Sequence, residues 1–171
     1  MSAFVVDTFI VDTNVPIVAN AHSAQADPAC VLTCIRALLA IQAQSIVLLD
    51  EGMLILTEYM RNLCMSGQPG AGDFFMKWVW SVQADPRHCK RIPITPLPND
   101  STNFAEFPND ADLAHFDRSD RKFVAVALAS NSAPEILNAV DSDWADFAAP
   151  LARYGLHLHF LCPQHVPPPD L

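Results

Sequence analysis

Four short apolar runs punctuate the chain: Phe9-Ile10-Val11, Ile46-Val47-Leu48-Leu49, Ile136-Leu137-Asn138-Ala139-Val140 and Leu156 to Phe160. The first three lack the alternation of a half-exposed strand and predict strands buried on both faces; the last alternates Leu and His and predicts an edge strand. Arg91 to Thr95 is a weaker fifth strand, cut short by Pro93 and Pro96. Between the runs, apolar residues recur at helical spacing. Ala29 to Gln44 carries Cys30, Cys34, Leu38 and Ile41 on one stripe, and Asp50 to Cys64 carries Leu54, Ile55, Tyr59 and Leu63. Ala71 to Val82 is rich in aromatics, Ser119 to Ser130 holds Phe123, Val124, Ala127 and Leu128, and Trp144 to Tyr154 precedes the last strand. Strands alternating with helices predict an α/β domain, a three-layer α/β/α sandwich around a mainly parallel sheet of four to five strands.

Two segments break the pattern. Arg91 to Asp112 holds Pro93, Pro96, Pro98 and Pro108 among polar residues and predicts an irregular surface excursion. The tail from Pro163 to Leu171 has four prolines and reads as extended or disordered. The expectation is one domain over residues 1–162, with the excursion at 91–112 and a Pro-rich tail at 163–171.

Composition supports a folded core, with 51% hydrophobic and 17% charged residues in 171. The formal net charge of −9 argues against tight nonspecific binding to nucleic acid, unless cations neutralise a cluster of the acids. The five cysteines contain no CxxC pair, and Cys30 and Cys34 read as helix core, so free thiols in a reducing compartment are expected. Asp7 and Asp12 interrupt the apolar N-terminal stretch, which gives no signal-peptide pattern. No apolar run approaches the ~18 residues of a membrane span. A cytoplasmic protein without membrane attachment is the resulting expectation.

The acids stand where elements end. Asp12 follows the first strand directly, and Asp141 follows the run Ile136 to Val140. In an open α/β sheet, ligands bind beyond the carboxyl ends of the strands. Asp12 could instead cap a following helix with Pro16 in its first turn. Asp50 also follows an apolar run, and fits the cap of the helix after it. Glu58 has Ile55 and Tyr59 as apolar neighbours, so it lies near the buried side of its helix and needs a base or a cation as partner. Asp120 opens the helix that continues Arg121-Lys122-Phe123, and Asp117 is the better candidate for its cap. Of the pair after the third apolar run, Asp141 is expected to point into the crevice, with Asp143 capping the next helix in a capping box with Asp146.

The order strand–Asp12, helix–Glu58, helix-start–Asp120, strand–Asp141 resembles that of the PIN-domain nucleases, over nearly all of the chain up to about Phe160. The matching pieces are Val11-Asp12-Thr13-Asn14, Glu58-Tyr59-Met60-Arg61, Asp120-Arg121-Lys122-Phe123 and Val140-Asp141-Ser142-Asp143-Trp144. The resemblance implies a metal-dependent nuclease, with Asp12, Glu58, Asp120 and Asp141 binding Mg²⁺ or Mn²⁺ and Asp143 as a secondary ligand. Hard cations take oxygen ligands, and such ions activate water and neutralise charge on the reacting phosphate. Asn14, Arg118, Arg121 and Lys122 are the candidate substrate contacts. RNA is the favoured substrate by resemblance, and many small family members are toxins held by an antitoxin; an antitoxin, another protein partner and a homodimer all stay open. The long excursion and the acidic charge depart from a minimal family member.

Two other functions compete: a PIN-like fold without activity that serves as a binding module, and a phosphoryl-transfer domain of the haloacid-dehalogenase or receiver type. The second also places an Asp after the first strand. Its phosphatase form needs another Asp where Asn14 stands, and both forms need a lysine after a later strand, where Lys77, Lys90 and Lys122 do not fall. There is no GxSxG, P-loop, GxGxxG or HExxH, and the six histidines form no zinc set.

Overall fold

The computed structural model describes residues 7–166. Five parallel strands form the central sheet: β1 (Thr8–Val11), β2 (Ile46–Asp50), β3 (Cys89–Ile92), β6 (Glu135–Asn138) and β7 (His157–Phe160). Their spatial order is β3-β2-β1-β6-β7, so strand order reverses between β1 and β6. The flanking helices are α1 (Asn14–Ala19), α2 (Pro28–Gln44), α3 (Leu54–Asn62), α4 (Ala71–Val82), α5 (Arg121–Ala129), α6 (Ser142–Asp146) and α7 (Ala148–Ala152). This is the expected three-layer α/β/α sandwich. Ile10, Val11, Val47, Leu48, Ile136 and Leu137 are buried, as parallel strands covered on both faces require. β7 is an edge, with His157 and His159 exposed.

Local chemistry sets the element ends. Asp27 caps α2 by accepting from the Cys30 amide at 2.7 Å, and Pro28 opens the helix, where no amide is needed. Asp50 caps α3 as expected, taking the Leu54 and Ile55 amides at 2.8 Å each. The helix therefore begins at Leu54 and not at Asp50. Gly72 lets α4 lie against α1, because a Cβ there would stand 1.9 Å from the Pro16 carbonyl oxygen. The weak fifth strand forms at Cys89–Ile92, ahead of its expected place, since Pro93 has no amide to continue the ladder. The single helix expected over 144–154 is two short ones broken at Phe147. Within one helix Pro150 would clash with the Asp146 carbonyl; in the first turn of α7 it is tolerated.

The excursion is not an irregular surface loop. It contains an antiparallel hairpin, β4 (Pro96–Leu97) and β5 (Asp100–Phe104), and a 3-10 turn at Ala111–Leu113. Phe104, Phe107, Leu113 and Phe116 join the core. Phe116 meets Phe107 with ring centroids 6.0 Å apart and Trp144 edge-on at 5.1 Å. The start of the Pro-rich tail forms a 3-10 turn, Pro163–His165, and residues 167–171 lie outside those described. The free-thiol expectation also fails in part, since Cys30 and Cys162 form a disulfide, while Cys34, Cys64 and Cys89 are free. Their separation of 132 residues left no local signal of the pairing. No helix among the described residues is long and apolar enough to cross a membrane.

Candidate active site

The reversal of strand order between β1 and β6 opens a crevice at their carboxyl ends, the usual ligand position in such sheets. Asp12 leaves β1 at this point and is 4% exposed. Its Oδ1 accepts from the Asn14 amide at 2.9 Å and the Asn14 side chain at 2.6 Å, and its Oδ2 accepts from Trp144 Nε1 at 2.9 Å. Asn14 in turn accepts from the Ala139 amide at 2.7 Å, tying β1 to the end of β6. Burial pushes the Asp12 carboxyl up to about 7 against its hydrogen bond from Asn14, and the charges of Asp141 and Glu58 add to the rise.

Asp120 stands at the start of α5, 7% exposed, and among the described residues no hydrogen bond reaches its carboxylate. Asp120 itself holds the N-cap position of α5 without a side-chain cap bond, and Asp117, the expected cap, instead takes the Ser119 amide at 2.7 Å ahead of the helix. Burial, then the charges of Asp12 and Asp141, push Asp120 up to about 9. Glu58 accepts from Thr13 Oγ1 at 2.5 Å and is ion-paired with Lys122, which also donates to the Ser119 carbonyl. The base that Glu58 needs is therefore Lys122, from another helix.

Asp141 is half-buried, and its pKa is raised chiefly by burial. Its assignment relative to Asp143 is reversed from expectation. Asp141 caps α6 by accepting from the Asp143 amide at 2.9 Å, and Asp143 is exposed. The reason is that β6 ends at Asn138, three residues before Asp141, and Asn138 Oδ1 accepts from the Asp141 amide at 3.1 Å. Asp141→Ala is expected to melt below Asp141→Asn by the equivalent of about 1 kcal/mol, since both remove the charge and only asparagine keeps the cap. Asp143→Ala should stay within about 0.5 kcal/mol of the parent in the same melts.

The four acids lie at one edge of the sheet and feel one another's charge, but they form no closed cage. Among the described residues, no three carboxylates bring one oxygen each within 4.8 Å of one another. Glu58 is ion-paired with Lys122 and Asp141 caps α6, whereas Asp12 and Asp120 are more deeply buried and have no basic partner among the described residues, so these two are the pair best suited to an ion. Mg²⁺ commonly takes one or two carboxylates and keeps several waters, so this donor set fits an open site and not an all-protein one. Asp143 faces solvent on the far side of the cap.

The candidate substrate contacts divide. Arg121 is buried, donates to the Ala114 carbonyl at 2.9 Å and lies 4.6 Å over the Phe107 ring, so it fastens the excursion to α5. Lys122 serves Glu58 and Asn14 serves Asp12. Arg118 is exposed and paired with Asp100 at 2.6 Å. A cleft of about 210 Å³ is lined by Asn14, Ser23, Gln25, Asp141 and Ser142 among others, and of the four acids only Asp141 lines it. Larger hollows of about 530 and 650 Å³ lie along β7 and against the hairpin and contain none of the four acids.

Sequence reasoning passed over Thr13, Asn138 and Trp144. Asn138 had a visible signal, an amide inside an apolar run; its Nδ2 is buried without a hydrogen-bond partner. Trp144 had one too, since a buried indole N–H needs an acceptor. Comparison with known protein families, characterised proteins and solved structures gives no match to this chain.

Proposed function

We propose that the chain is a metal-dependent nuclease of the PIN-like type that hydrolyses phosphodiester bonds, with RNA the favoured substrate. The observation that carries this reading is the pair Asp12 and Asp120. They come from two elements, are nearly buried at the strand-order reversal, and each lies within reach of the other's charge. Two such carboxylates without a basic partner of their own suit a divalent cation.

Asp12 and Asp120 would hold Mg²⁺ or Mn²⁺, which supplies an activated water and charge neutralisation at the phosphate. Asn14 and Trp144 fix both Asp12 oxygens before any ligand arrives. The Thr13 and Lys122 contacts hold Glu58 at the rim. Asp141 has a raised pKa and lines the cleft, which supports a role as the base that would take a proton from the attacking water. The acidic surface implies weak nonspecific affinity, so substrate selection rests on the cleft.

A binding module without activity is the second reading, favoured by the Glu58–Lys122 pair, which neutralises one acid of the four. An assay of the chain and Asp12→Asn on RNA and single-stranded DNA, with Mn²⁺ and with Mg²⁺, separates them. Metal-dependent cleavage that Asp12→Asn loses is the expected result. Metal binding with no cleavage of either substrate would favour the module.

A further inference from the structure

Three sulfurs meet where the first half of α2 packs against the segment after β7. Cys30 and Cys34 lie one turn apart on the buried stripe of α2, and Cys162 follows β7. All three are fully buried, and their Sγ atoms lie within 4.8 Å of one another. Cys30 and Cys162 are bonded, with Cα atoms 5.5 Å apart, and Cys34 remains a free thiol beside them. A disulfide uses two of these residues and leaves the third unexplained.

We propose that in the reduced protein Cys30, Cys34 and Cys162 form a thiolate site for a soft divalent cation of the zinc type, with His165 as fourth ligand. The spacings Cys30-x₃-Cys34 and Cys162-x₂-His165 match those of structural zinc sites, which need about 2.3 Å from metal to sulfur. His165 sits in the turn after Cys162, and its Nε2 is closed off from solvent, 3.0 Å from Asp27 Oδ2 but without hydrogen-bond geometry. Asp27 caps the helix that carries Cys30 and Cys34, so all four donors share one corner. In the disulfide form His165 stays outside the 4.8 Å group and would turn from Asp27 to reach the ion.

The conversion balances simply. Two equivalents of a thiol reductant turn the Cys30–Cys162 bond into two thiols and leave as one disulfide. The cation then displaces three thiol protons to solvent. Either fastening clamps the segment from Cys162 to Val166 onto the first half of α2, and redox state selects between them.

The test uses the full chain carrying Cys64→Ser and Cys89→Ser, reduced and titrated anaerobically with Co²⁺ and then Zn²⁺. A thiolate charge-transfer band that saturates with one Co²⁺ at the sulfur site and is displaced by Zn²⁺ is expected, and the carboxylates of Asp12 and Asp120 do not contribute to it. Adding Cys34→Ser should weaken binding by at least about 100-fold, beyond the usual loss from an outer-shell partner. That variant keeps the disulfide pair, so its oxidised form should melt with the parent and certify the fold. His165→Ala should weaken binding roughly 10-fold or more. No charge-transfer band in the reduced parent, or an equal band with Cys34→Ser, overturns the site. Unchanged affinity with His165→Ala removes His165 from it.

Discussion

Asp120→Asn is expected to abolish cleavage and, in the same protein, to raise the melting temperature of the metal-free chain at pH 8. The Asp120 carboxylate is nearly buried, has no hydrogen bond among the described residues, and faces the charges of Asp12 and Asp141. Ionising it is therefore costly, and asparagine fills the same volume without charge. With its pKa held near 9 by burial the wild-type group keeps its proton in the fold at both pH values, while the unfolded chain releases it above about pH 4, so the gain should be smaller at pH 5 than at pH 8. Activity should move the other way, by roughly 100-fold or more, because under the proposed function the ion would lose one of its two direct ligands. The stability gain tests the burial and crowding of the group; the activity loss tests its role. A variant that cleaves at the parent rate would remove Asp120 from the chemistry, whatever its melting temperature.

The second large effect is a fall in metal-free stability as pH rises, reversed by a divalent cation. Asp12 and Asp120 are raised to about 7 and about 9, above the ordinary carboxylate value of 3.8. Between about pH 4 and those values the folded chain holds protons that the unfolded chain has released. Stability is then full below about pH 4 and is lost as pH climbs through the folded values, at up to about 1.4 kcal/mol per pH unit for each group. The window for Asp12 closes near pH 7 and that for Asp120 near pH 9. An ion that binds only the folded site, at about 100 times its dissociation constant, returns roughly 2.7 kcal/mol. Thermal melts at pH 5, 7 and 9, with a chelator and with millimolar Mg²⁺ or Mn²⁺, read both effects. The expected pattern is a metal-induced rise that grows with pH. A flat chelator series would mean that the two carboxylates are not held as described, and a flat metal series that they hold no ion.

The periodicity of apolar residues was enough for the layers of this fold, because burial on both faces demands unbroken runs such as Ile46 to Leu49. A stripe facing the sheet likewise demands Cys30, Cys34, Leu38 and Ile41. Local hydrogen-bonding chemistry was equally legible where donor and acceptor are neighbours, as with Asp50 over Leu54 and Ile55. The position of Asp12 at a strand end was legible for the same reason. The exact end of a strand was not: a shift of two residues, from Val140 to Asn138, moved the cap from Asp143 to Asp141.

What only the tertiary structure decided are pairings between distant residues. The excursion looked irregular because of its prolines among polar residues, yet its Phe107 stacks on Phe116, which meets Trp144 edge-on, and the Trp144 indole holds Asp12. Lys122 reads as a surface base until α3 and α5 bring it to Glu58, 64 residues away. Cys30 and Cys162 read as two unrelated core residues until β7 returns the chain to α2. Spacing along a sequence reports only which residues share a face of one element. Which faces meet is settled by the packing of the whole core, and that packing brought Trp144 to Asp12 and Lys122 to Glu58.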